Sequence, residues 1–203
     1  MILTPALALI VWARVRLRSA NTRAANQPSP AGLEGARFAA MVLEAGGVEG
    51  LTIARADGPL ADFYDPGGRS LRLSGPVFHG CDMARLGRAA YEAGHAARDG
   101  KGGWLGGVRR LLAFTSGLTA TAAWLTMLAG LALPLLKLVL VGTVLLWVAL
   151  LAALAEVPLG RDAARRALAS LDRRPTLDDD QRRAVEAVLA AAPWTRVASL
   201  IGR

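Results

Sequence analysis

Residues Leu111 to Leu133 read LLAFTSGLTATAAWLTMLAGLAL, 23 positions without a charge. A helix needs about 20 apolar residues to cross a hydrocarbon core, so this segment predicts a transmembrane span. After Pro134 comes LLKLVLVGTVLLWVALLAAL, Leu135 to Leu154, whose one charge, Lys137, sits near the start and can snorkel to the interface. The pair predicts a tight helical hairpin over 111–154. These spans account for the high apolar content of the 203-residue chain, which is 53% hydrophobic with a mean hydropathy of +0.35.

A third apolar run, MILTPALALIVWARVRL, opens the chain. A secretory signal carries its positive charge before the apolar run, whereas Arg14, Arg16, Arg18 and Arg23 follow this one. An uncleaved membrane anchor over 1–18 is expected. Those arginines, Arg109 and Arg110 before the hairpin, and Arg161, Arg165 and Arg166 after it fall on one side of the membrane, which the positive-inside rule makes cytoplasmic. The expectation is a multi-pass protein of the cell inner membrane with its main soluble part in the cytoplasm. Its net charge of +8 is accounted for by topology and by contact with anionic lipids. No interleaving of basic and aromatic residues marks a nucleic-acid groove. A single cysteine, Cys81, excludes an internal disulfide and any multi-cysteine metal site.

Between anchor and hairpin, Ser19 to Gly32 reads as a polar linker with two prolines. In LEGARFAAMVLEAGG, Phe38, Met41, Val42 and Ala45 share a helical face that stops at Gly46 and Gly47. The next stretch alternates at Leu71 and Leu73 and turns at Asp65-Pro66-Gly67-Gly68, which predicts a small hairpin. Asp82 can cap a helix from Met83 to about Arg98, with Gly100 behind its end. The fold class expected is therefore a mostly α membrane protein: an anchor helix, a small α+β unit over 19–110, a transmembrane hairpin, and a helical region over 155–203. That last region reads as a basic helix, VPLGRDAARRALASLDRR, then a helix opened by Thr176 and LDDDQ and ended at Pro193.

The helix from Met83 carries the chemistry in question. Met83, Leu86, Ala90, Ala93 and Ala97 form its apolar stripe, and Arg88, Tyr91, Glu92 and His95 lie opposite, on a face expected to be exposed. Tyr91-Glu92-Ala93-Gly94-His95 has the shape of His-Glu-x-x-His with its first histidine replaced. In that motif two histidines one turn apart hold Zn²⁺ and the glutamate acts on the metal-bound water, whose pKa the metal lowers to about 7. A phenol, with an ordinary pKa of about 10, is a poor zinc ligand at neutral pH. Taken alone, Glu92 and His95 read as a local polar pair.

More of the chain resembles the bacterial membrane metallopeptidases of the neutral zinc metallopeptidase (YugP-like) type. The resemblance runs through WARVRLRSA, GLEGARFAAMVLEAGGV, DFYDPGGRSLRLSGPVFHG, AAYEAGHA, the hairpin and VPLGRDAARRAL, and is most specific at Phe63 to Gly80. It implies a metallopeptidase-like α+β domain and a remnant site. The family's first zinc histidine falls on Tyr91, its catalytic glutamate on Glu92 and its second histidine on His95. Its third ligand, the glutamate of a pattern like LPVEFDAS-RRAL, falls on Gly160. The resemblance implies a further apolar helix toward the C-terminus, and none is expected beyond PWTRVASLIGR.

With two of three ligand positions changed, no catalytic residue and no zinc are expected, Glu92 and His95 remaining as remnants. The degenerate site and the preserved segments point to a catalytically inactive homologue, a structural or interaction subunit of a membrane complex. Respiratory and photosynthetic complexes recruit small membrane subunits of this kind. Ser116, Gly117, Thr119, Ala120, Thr121, Ala122, Ala123, Ala129 and Gly130 make the first hairpin helix suited to close contact with another helix. The alternative is an active membrane zinc peptidase with an altered metal site; a third reading is a regulator that holds substrates without cutting them. His79 and Cys81, with His95, are candidate ligands for such an altered site. Arg88, four residues before Glu92, is placed to pair with it in place of a metal.

Overall fold

The computed structural model describes residues 3–58, 62–65, 67–99, 104–173 and 177–201. Pro66, Gly100 and Thr176, which the sequence assigned to turns and helix ends, lie outside them.

Helix α1 spans Thr4–Ala25, entered through Pro5 in its first turn. The expected linker therefore begins only after Ala25. Ser19 to Ala25 stay helical, with Arg23 donating to Ser19 Oγ one turn back at 2.8 Å. Helix α2 spans Gly35–Ala45 and buries Phe38, Ala39, Val42 and Leu43. It stops where expected: Gly47 takes φ +71°, a left-handed conformation open to glycine.

Three strands follow, β1 Thr52–Ala56, β2 Phe63–Asp65 and β3 Ser70–Ser74. The expected hairpin is β2 with β3, antiparallel, with the Gly67 N–H donating to Asp65 Oδ1 at 3.2 Å in the turn. Strand β1 joins the other edge of β3 in parallel. The alternation reads correctly, since Leu71 and Leu73 are fully buried while Arg72 between them is exposed. A short helix α3, Gly75–Phe78, leads to α4, Met83–Asp99.

The hairpin is α5, Trp104–Ala132, and α6, Leu136–Asp172. Helix α6 runs through Leu154 and Pro158, so the basic helix expected after the span is its continuation. Of the small residues noted in α5, Ser116, Ala120, Ala123 and Gly130 are buried, Thr119 and Ala122 half-buried, and Gly117, Thr121 and Ala129 exposed. Phe114, Leu118, Leu125 and Leu128 of α5 and Leu140, Val144, Val148 and Leu151 of α6 are exposed. A surface so apolar belongs in lipid.

Helix α7, Asp179–Ala191, starts with a reciprocal capping box between Asp178 and Gln181. A 3-10 turn, Ala192–Trp194, and a short α8, Thr195–Ala198, end the fold with a further 3-10 turn. Among the described residues, three helical stretches are long and apolar enough to cross a membrane: Phe114–Ala132, Leu136–Asp172 and Asp179–Ile201. Helix α1, the expected anchor, is not among them, because every 18-residue stretch of it contains Arg14, Arg16 and Arg18. Three of its buried residues, Ala6, Ile10 and Ala13, pack instead in one cluster with α5, α6 and α8, and the fourth, Ala24, joins the other cluster. A second cluster joins α2, α4, the sheet, α7 and the distal half of α6. Helices α1 and α6 pass through both clusters.

Candidate functional site

Helix α4 is fixed at its start by Asp82, whose Oδ1 accepts the Arg85 N–H at 3.0 Å. The Met83 N–H donates to Gln27 O at 3.0 Å, tying this start to the segment after α1. In its second half α4 lies directly on α6. A Cβ built on Gly94 would collide with the Ala163 carbonyl, so glycine is what lets the two backbones come this close. Near its end the buried Arg98 donates to Leu159 O of α6 at 3.1 Å.

This packing changes the reading of the suspect face. Met83, Leu86, Ala90 and Ala93 are buried as expected, but Glu92 and His95 are buried too, at 7% and 1% exposure, and Tyr91 is half-buried. The expected solvated face is covered by α6 and by the C-terminal segment. Only Arg88 of the four remains exposed.

Tyr91, Glu92 and His95 line a cavity of about 310 Å³ together with Leu17 and Asn21 of α1, Asp62 and Arg88, Glu156 of α6, and Val188, Ala192, Pro193, Thr195, Arg196 and Ser199 of the C-terminal segment. It sits where the two hydrophobic clusters meet. The Tyr91 and His95 rings stand edge to face, centroids 4.7 Å apart and planes at 83°. Gly160 lies at the same place: a Cβ added to it would collide with the Tyr91 hydroxyl and stand 3.1 Å from Pro193. The two positions that the resemblance marks as altered are thus neighbours in space. The phenol occupies the volume that a side chain at 160 would take.

The remaining expected residues are distributed differently. Arg88, expected to pair with Glu92, reaches Asp62 instead of relying on its own helix for a carboxylate, Nη2 to Oδ2 at 2.8 Å. Asp62 Oδ1 also accepts the Ser74 N–H at 2.6 Å, so this pair links the sheet to α4. His79 and Cys81 stay outside the cavity. The His79 Nδ1 is 3.5 Å from Glu34 Oε1 on the surface, and the exposed Cys81 thiol lies 3.4 Å from Gly32 O and His79 O.

Glu156 is the residue that the sequence reading missed. It is 8% exposed, lies one turn before Gly160 on the same face of α6, and its Oε2 is 3.5 Å from Arg196 Nε. Its signal was present: it is the first carboxylate after Asp99, at the end of a long apolar run, where an acid calls for a partner.

The donor set at positions 91, 95 and 160 is a phenol, an imidazole and no side chain, which does not fit a zinc site of three protein ligands. Among the described residues no three side chains of His, Cys, Asp or Glu gather into a metal-holding group.

Comparison with known proteins bears on the whole chain. The profile of a family described as "Putative neutral zinc metallopeptidase" matches residues 1–203. Over 196 residues the chain is 28% identical to the "Putative membrane protease YugP" of Bacillus subtilis (strain 168), spanning 97% of this chain and 87% of that protein. No solved structure matches the chain.

Proposed function

This chain belongs to the neutral zinc metallopeptidase family, and we propose that in it the family's fold serves without the family's metal chemistry, as a structural or interaction subunit of a membrane protein complex. One observation carries the reading: Tyr91 and Gly160, the two departures from the ligand pattern, pack against each other. Two independent losses would leave a hole or a clash at this spot. Here a large side chain at one position is matched by none at the other, as in a site refitted for packing.

In this reading the hairpin meets other transmembrane helices through its exposed faces, in an inner-membrane assembly such as a respiratory or photosynthetic complex. The soluble unit faces the cytoplasm, on the side of the arginine-rich ends. Glu92 and His95 serve as buried structure, and the cavity around them has no assigned turnover.

The test measures zinc content and peptidase rate of the purified full chain beside its Glu92→Gln variant. The expected result is zinc well below one per chain and equal, negligible rates. The Tyr91→His/Gly160→Glu double variant is expected to gain one zinc. Stoichiometric zinc in the unaltered chain, with a rate abolished by Glu92→Gln, overturns the proposal.

A second reading, an active peptidase with an altered metal site, draws on Glu156, a carboxylate in the same cavity as Glu92 and His95. The same zinc measurement on a Glu156→Gln variant separates the two, since only an active altered site loses metal and rate together.

A further inference from the structure

Four side chains form a stack that the proposed function does not use. Arg16 Cζ lies 5.4 Å from the centroid of the Trp12 ring, the Trp12 and Trp194 rings meet edge to face with centroids 4.9 Å apart, and Arg161 Cζ lies 5.7 Å from the Trp194 ring. They come from α1, from the turn before α8 and from α6. Two of them mark the ends of apolar runs: Trp12 closes that of α1, and Arg161 is the first basic residue after the long apolar run of α6. Tryptophan and arginine concentrate at this level of a membrane protein, where headgroups meet hydrocarbon.

Neither Arg16 nor Arg161 has a carboxylate or hydrogen-bond partner among the described residues, whereas Arg85, Arg88, Arg166, Arg182 and Arg196 each have one. A guanidinium resting on an indole keeps N–H donors for a further acceptor, and its fork matches two oxygens of a phosphate. Beside this stack α1 exposes Val11, at 51%, and Val15, at 61%. An apolar flank beside unpaired arginines suits a ligand that is anionic at one end and hydrocarbon at the other.

We propose that Arg16, Trp12, Trp194 and Arg161 form a binding site for the headgroup of an anionic phospholipid. The phosphate meets the two guanidiniums, and the acyl chains lie along the exposed flank of α1. Because Pro193, Thr195 and Arg196 beside Trp194 line the cavity, a lipid bound here also steadies the segment that covers it. The site is independent of the zinc question, and either outcome of the zinc measurement leaves it standing.

The test uses the full chain in mild detergent, titrated separately with phosphatidylglycerol, phosphatidylcholine and inorganic phosphate. Retained lipid is read by native mass spectrometry, and the unfolding midpoint is followed in parallel. Each arginine near an anionic headgroup strengthens association by about fivefold. The Arg16→Gln/Arg161→Gln variant is therefore expected to bind phosphatidylglycerol about 25-fold more weakly, while Arg72→Gln/Arg183→Gln, with the same charge change elsewhere, binds as the unaltered chain does. Should the first variant not fold, Arg16→Lys/Arg161→Lys keeps the charge without the fork and is expected to fall between the two. Equal weakening in both glutamine variants, no preference of the unaltered chain for phosphatidylglycerol over phosphatidylcholine, or equal stabilisation by inorganic phosphate overturns the proposal.

Discussion

The hydroxyl of Tyr91 fills the space that a side chain on Gly160 would need. Helix α4 and helix α6 are thereby fitted to each other at one point through a large residue and the smallest one. The fit has an energetic signature. Gly160→Ala forces its methyl against the phenol and the Pro193 ring, and overpacking of this kind costs about 1–3 kcal/mol. In a Tyr91→Phe background the obstructing oxygen is gone, so the penalty should shrink, with a coupling of about 0.5–3 kcal/mol in a double-mutant cycle read by thermal unfolding. Strict additivity would mean that the two residues do not share this volume.

Why this juxtaposition could not be read from local pattern follows from where the covering residues lie. The apolar stripe of α4 was visible as a 3.6-residue period, and Met83, Leu86, Ala90 and Ala93 are buried as it required. The opposite face looked solvated because Arg88, Tyr91, Glu92 and His95 are all polar or amphipathic. What buries Glu92 and His95 and half-buries Tyr91 is Gly94, which admits the α6 backbone, together with a C-terminal segment some 100 residues away. Neither leaves a periodic trace on α4. Gly160 was marked only by resemblance. The hairpin, by contrast, was legible from length and charge alone, since nothing else accommodates such long uncharged runs. Helix ends were less so: Ser19 to Ala25 continue α1 despite their polar character, and Pro158 sits inside α6 with an exposed ring.

Two glycines should respond oppositely to one substitution. Gly94→Ala places a methyl against the Ala163 carbonyl, a backbone atom that cannot turn aside, and should destabilise by about 1–3 kcal/mol or more. Gly117→Ala, on the outward face of α5 with nothing within 4 Å of the added Cβ, should be neutral or stabilise by up to about 1 kcal/mol through helix propensity. Unfolding midpoints of the two variants in the same detergent decide the matter. A similar response from both would contradict the close approach of α4 and α6.

The start of α7 rests on the Asp178 side chain, which accepts the Gln181 N–H at 2.8 Å while the Gln181 side chain accepts the Asp178 N–H at 3.3 Å. Asp178→Ala removes the cap and should cost about 1 kcal/mol, whereas Asp178→Ser, which keeps an acceptor, should recover most of it. Hydrogen exchange at the first turn of α7 gives the local readout. Unchanged protection in the alanine variant would rule the cap out as a determinant.

Glu156 and Arg196 join the middle of α6 to the C-terminal segment across the cavity, and their pair is unequal in exposure. The Glu156 side chain is 8% exposed and that of Arg196 26%, with 3.5 Å between Oε2 and Nε. Removing one member of a fully buried pair costs about 3–5 kcal/mol, mainly because a charge is left without compensation. Arg196 is partly in contact with solvent and the separation is long, so Arg196→Met should cost less, about 1–3 kcal/mol. Glu156→Gln leaves a neutral amide of the same shape and lets the arginine turn toward water, so it should cost less again. The order of the two variants in thermal unfolding is the discriminating result. If Glu156→Gln proves the more damaging, the carboxylate is held by partners other than Arg196, and the C-terminal segment is secured instead by contacts such as the Trp124 Nε1 bond to Leu200 O at 2.6 Å.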